Sequence, residues 1–231
     1  MSEFTSGILF RHAFKESACC CLEERTCLIE FDENWLCRLS DYDSEYLGAN
    51  KYSESLLKMS ETVPMLLFVF AEDYSSGFEI LHNREVHGSV FLDWGLYGSW
   101  LHNTFGKLYG EEYFLDHLTP EEVEERLKKV NEIVQKDYEA YLNAKRTEFS
   151  SFNWSDFKDL DFDDKTVNSI KEIFNADLYP DNIKDYSPKI EFEMIEKFKE
   201  AVGLTYFEWI SKDYADHHDD ERIKVIAEKQ T

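Results

Sequence analysis

Apolar and polar residues change their spacing near the middle of this chain. Up to about residue 110 the apolar residues fall in short runs bounded by turn formers. Cys27-Leu-Ile-Glu-Phe31 and Trp35-Leu-Cys-Arg-Leu39 flank Asp32-Glu-Asn34, the pattern of a hairpin. Pro64–Phe70, Gly77–Leu81 and Val86–Leu92 follow, separated by Asp73-Tyr-Ser-Ser76 and Asn83-Arg-Glu85, and predict a three-stranded meander. The first of these runs is apolar at nearly every position, as in a strand buried on both faces. Phe78, Glu79 and Ile80 alternate instead, as in a strand with one exposed face. A short helix is predicted over Tyr52–Met59.

Beyond residue 118 the spacing becomes helical. Thr119-Pro-Glu-Glu122 supplies a capping hydroxyl, a proline at the first helical position and a carboxylate three residues after the cap, which together form a capping box. Val123, Leu127, Val130, Val134, Tyr138 and Tyr141 or Leu142 then recur three and four apart and predict a core-facing helix to about Lys145. Glu124–Lys128, Glu125–Lys129 and Glu132–Lys136 supply i,i+4 pairs on its other faces. Further helices are expected over Lys165–Asn175 and Pro188–Val202, the latter capped by Ser187 and stopped by Gly203. Leu204–Tyr214 has helical spacing, and Ile223-Lys-Val-Ile226 reads as a short final strand.

These elements predict an α+β fold, with an antiparallel sheet and covering helices in the N-terminal half and a mainly helical C-terminal half. The division expected is 1–118 sheet-rich and 119–231 mainly helical, with the boundary in Gly110–Leu118 and the second region able to pack on the same core. Eight of the nine glycines precede residue 111, which agrees with turns being concentrated early. With 18 Phe, 13 Tyr and 5 Trp in 231 residues, the chain has ample material for a core.

Charge changes the picture most. There are 48 acidic against 25 basic residues, a formal net charge of −23. The excess is distributed: residues 1–118 hold 20 acidic and 8 basic residues, net −12, and 119–231 hold 28 and 17, net −11. Such a field repels phosphate backbones and attracts cationic partners, so direct nucleic acid binding is excluded and a basic protein partner is expected.

Five cysteines, Cys19, Cys20, Cys21, Cys27 and Cys37, are odd in number and lack a second C-x-x-C pair, so neither a disulfide framework nor a zinc site is expected. They read as small buried apolar residues. The longest apolar run, Val63–Ala71, is far short of the roughly 20 residues of a membrane span, and no secretory-leader pattern opens the sequence. The expectation is a cytoplasmic chain without membrane association.

Candidate chemistry is thin. Asp159, Asp161 and Asp163 have the alternate spacing of a calcium loop, but the sixth position is Asp164 where Gly is needed and the twelfth is Ile170 where a bidentate Glu is needed. The acidic run is better explained as capping the next helix. Asp216-His-His-Asp-Asp220 has metal-ligating side chains. However, neighbours on a helix point about 100° apart, so a site there would have to recruit His82, His87, His102 or His117 through the fold. Nucleotide-binding glycine motifs and a G-x-S-x-G elbow are absent, and no cofactor is expected.

Phe91-Leu-Asp-Trp-Gly-Leu-Tyr-Gly-Ser-Trp100 combines aromatics with glycines after a strand and suits a binding loop. The functional expectation is therefore an acidic cytosolic binding protein that neutralises a basic partner, as an immunity protein, antitoxin or nucleic-acid mimic would. Trp94, Tyr97, Trp100, Asp159, Asp161, Asp163 and Asp164 are its candidate contact residues. A metal-dependent hydrolase whose His/Asp site assembles only in the fold, and a scaffold with an ordinary acidic surface, are the alternatives.

Overall fold

The computed structural model describes residues 4–20, 22, 26–30, 34–40, 52–71, 75–93, 95–110, 118–204 and 224–229. Among these, seven strands form one sheet: β1 (Phe4–Arg11), β2 (Thr26–Glu30), β3 (Trp35–Ser40), β4 (Met65–Ala71), β5 (Ser75–His82), β6 (Glu85–Asp93) and β7 (Lys224–Lys229). Their order is β6-β5-β4-β1-β3-β2-β7, and every neighbouring pair is antiparallel. The expected hairpin is β2–β3, the meander is β4–β5–β6, and the final strand is β7. β1 carried no strand signal, because Thr5, Ser6 and Gly7 dilute its apolar pattern. It nevertheless takes the central position, with Ile8 opposite both Arg38 of β3 and Leu67 of β4.

The helices are α1 (Lys15–Cys20), α2 (Glu54–Ser60), α3 (Leu96–Tyr109), α4 (Pro120–Ser151), α5 (Asp164–Ile173) and α6 (Lys189–Val202). The capping box of α4 forms as expected: Thr119 accepts from the Glu122 N–H, and the Glu122 carboxylate accepts from the Thr119 N–H at 2.9 Å. α4 continues past Lys145 because Phe149 still faces the core. α6 begins one residue later than expected, with Pro188 rather than Ser187 at the cap, and ends at Gly203 with φ 77°, a left-handed turn that suits glycine.

Of the stretch read as a glycine-rich loop, Phe91–Asp93 end β6, and Leu96–Trp100 begin α3 with Gly95 at the cap. Packing of α3 along α4 overrides the low helix propensity of Gly98.

The sheet is covered on both faces. On one face Phe68, Phe78, Ile80, Val90 and Leu92 meet α4, α5 and α6 in a single cluster, which therefore draws on both 1–118 and 119–231. Phe78 is its hub, stacked on Phe198 at 4.2 Å and edge-on to Phe174, Phe157 and Phe152 at 5.4, 5.7 and 5.9 Å. The other face buries Ile8, Phe10, Leu36, Leu67 and Leu81 against Ala18, Leu56 and Met59 from α1 and α2. β4 is buried on both faces, as expected.

β5 departs from the half-exposed reading, because Glu79 is also buried and accepts the Tyr52 hydroxyl. Alternation therefore marked a buried, paired carboxylate rather than a solvent face.

Cys27 and Cys37 are buried as expected, while Cys19 is exposed on α1. Among the described residues no helix is long and apolar enough to cross a membrane.

Candidate functional site

The four candidate aspartates gather in one turn. After α4 a 3-10 segment, Trp154–Leu160, ends with Asp161 in the left-handed region at φ 64°, and Asp163 then caps α5. Asp159, Asp161, Asp163 and Asp164 are all exposed. The floor of the turn is pinned to the sheet by Arg11. Its Nε donates to the Leu160 carbonyl at 2.7 Å, and its guanidinium lies over the rings of Trp35 and Phe162 at 4.1 and 4.4 Å.

Three of these aspartates have structural partners. The Asp163 carboxylate accepts the Thr166 N–H at 2.7 Å, and that bond holds its pKa below the usual carboxylate value. Asp164 meets Lys158 at 2.5 Å, and Asp159 meets His82 Nδ1 at 2.9 Å.

His82 and His87 complete this corner from the β5–β6 hairpin. The His87 Nε2 donates to the His82 carbonyl at 3.1 Å, its Nδ1 lies 3.7 Å from Asp156, and the two rings are 5.9 Å apart. Burial pushes the Asp156 carboxyl up, while His87 opposes the shift. The sequence offered His82 and His87 only as partners for a site around His217 and His218; the fold gives them Asp159 and Asp156 instead. His217 and His218 lie outside the described residues. Among the described residues no group of three or more His, Cys, Asp or Glu side chains is placed to hold a metal ion.

The aromatic candidates occupy other elements. Trp94 and the side chain of Tyr97 lie outside what is described. Trp100 is half-buried on α3, edge-on to Tyr141 of α4 at 5.7 Å. It thus shares no element with the acidic turn.

Behind Trp100 lies a polar cluster that the sequence reading missed. Glu191, in the first turn of α6, is fully buried and accepts hydroxyls from Tyr141 at 2.5 Å, Tyr179 at 3.0 Å and Tyr186. Burial pushes its carboxyl up while the three hydroxyls draw it down, and the net shift is upward. The tyrosines are raised as well: burial and the Glu191 charge take Tyr138 to about 12, and Tyr141, Tyr179 and Tyr186 shift further in the same direction.

Next to the cluster, buried Lys145 donates to the Phe91 carbonyl and, at 2.7 Å, to Glu148, which accepts the Phe91 N–H at 3.0 Å. α4 thereby occupies both backbone groups of Phe91 on edge strand β6, where another strand could otherwise pair. A glutamate between Ile190 and Phe192 is the one sequence signal that could have pointed to the cluster. Its tyrosine partners are 50, 12 and 5 residues away, beyond the reach of local pattern.

Comparison with family models, curated proteins and solved structures gives no match to this chain.

Proposed function

We propose that this chain is an acidic binding protein that captures and neutralises a basic protein partner. The observation that carries the reading is how charge divides between core and surface. Among the described residues the core takes in two carboxylates, Glu79 and Glu191, against three cations, Arg38, Lys145 and Lys199. Among the described residues, burial therefore withdraws no net negative charge from the surface.

Several surface cations are also held by carboxylates. Arg84 lies between Glu54 and Glu61, Lys158 meets Asp164, and Lys189 meets Glu193. What remains outward is a field that accelerates encounter with a cationic surface and repels nucleic acid and like copies.

The test is capture from the source cell's lysate at physiological salt, followed by an activity assay of the recovered protein. Recovery of one basic protein in stoichiometric amount, whose activity falls as this chain is titrated in, supports neutralisation. Recovery only at low salt, or no effect on the captured protein's activity, overturns it, because ordinary surface charge is screened within about 8 Å at physiological ionic strength.

A further inference from the structure

A groove of about 760 Å³ runs between α5 and α6. Its apolar lining comes from Ile173 of α5, Ile190 and Met194 of α6, and Leu178 of the connecting segment. Leu178 is 52% exposed, more than any other large hydrophobic side chain among the described residues. Glu172, Glu193 and Glu200 stand on the lining with a single cation, Lys197.

Two features decide what fits. A furrow between two helices with an apolar floor accepts the apolar ridge of a third helix, whose side chains three and four positions apart fill the holes. Glu193 is already paired with Lys189, but Glu172 and Glu200 outnumber Lys197 and favour a ridge flanked by Lys or Arg, and a second copy of this chain, itself at −23, is repelled.

We infer that the α5–α6 groove is the docking surface for a basic amphipathic helix of the partner protein, with Leu178 as the apolar anchor and Glu172 and Glu200 selecting the positive charge. The inference rests on the proposed function and assigns it a surface. The groove, not the Asp159–Asp164 turn or the Trp100 region, then provides the apolar contact that makes binding survive salt, while the distributed carboxylates set the encounter rate.

The test uses the full chain and a labelled synthetic helix with Leu at i, i+3, i+4 and i+7 and Lys elsewhere, titrated at physiological salt. A scrambled peptide of the same composition, with no common apolar face, is the control. Leu178→Asp and the double charge reversal Glu172→Lys/Glu200→Lys are compared with the parent after circular dichroism shows the fold intact. The expected result is saturable binding of the amphipathic peptide, weaker than parent by at least tenfold in each variant, with the scrambled peptide binding at least tenfold more weakly to the parent. Absence of peptide binding, equal binding of the scrambled peptide, or variants that bind like the parent would overturn the groove as the site.

The same variants, used in the lysate capture, separate the two ideas. A basic partner that Leu178→Asp retains leaves neutralisation standing and removes the groove. A parent chain that captures no basic partner removes the proposed function itself.

Discussion

Tyr141 on α4 donates its hydroxyl to Glu191 on α6 at 2.5 Å, and both groups are withdrawn from water. Tyr179 and Tyr186 converge on the same carboxylate, so four ionisable groups stabilise the fold only in particular protonation states. The tyrosines' folded pKa values lie above their unfolded values near 10. Their contribution is complete below pH 10 and lost above it, where the unfolded chain ionises and the folded chain does not. Each such tyrosine removes about 1.4 kcal/mol per pH unit. Thermal denaturation is expected to show Tm falling steeply above pH 10. Tyrosinate absorbance should titrate fewer than the 13 tyrosines before the chain unfolds. Tyr179→Phe, which leaves buried Glu191 short of a donor, should cost about 1–3 kcal/mol in urea denaturation.

Asp163 shows the opposite sign. Its cap on α5 depresses the carboxyl pKa, so its stabilisation is present above the ordinary carboxylate range and is lost as pH falls through the depressed value. Asp163→Ala should lower Tm at neutral pH, and the gap from the parent should close in acid. Asp163→Asn, which keeps a capping oxygen, should track closer to the parent. A gap independent of pH would mean that the carboxylate is not the cap.

Thr119→Ala removes the hydroxyl that accepts the Glu122 N–H. The expected cost is about 1 kcal/mol by chemical denaturation. Thr119→Ser should retain most of the stability.

Gly88 on β6 faces the ring of Phe152, and an added Cβ would come within 2.4 Å of it. Gly88→Ala is expected to cost about 1–3 kcal/mol as an overpacked contact. Combining it with Phe152→Leu should cost less than the sum of the two single changes, which a double-mutant cycle in urea measures.

Arg11→Lys keeps the charge but loses the planar group that spans Trp35, Phe162 and the Leu160 carbonyl. Faster amide exchange in residues 157–163 is expected, with the β1–β4 ladder unchanged. Uniform loss of protection would show that Arg11 supports the whole sheet instead.

The sequence by itself determined the elements whose signals are local. The capping box at Thr119, the left-handed stop at Gly203, the β2–β3 hairpin and the β4–β5–β6 meander depend on residues a few positions apart, and each formed as the spacing required. The antiparallel sheet and helical second half followed from them.

Tertiary structure decided the rest. β1 became the central strand because β3 and β4 both pair with it, although its own pattern is diluted. Trp100 fell in a helix because α3 packs along α4. Glu79 was buried because Tyr52 supplies a partner. Asp159 found His82 across 77 residues, and Glu191 found Tyr141 across 50. A local pattern records which side of an element is apolar. It cannot record which distant polar group will meet a buried charge, because that depends on how the elements pack once chain entropy has been overcome by burial.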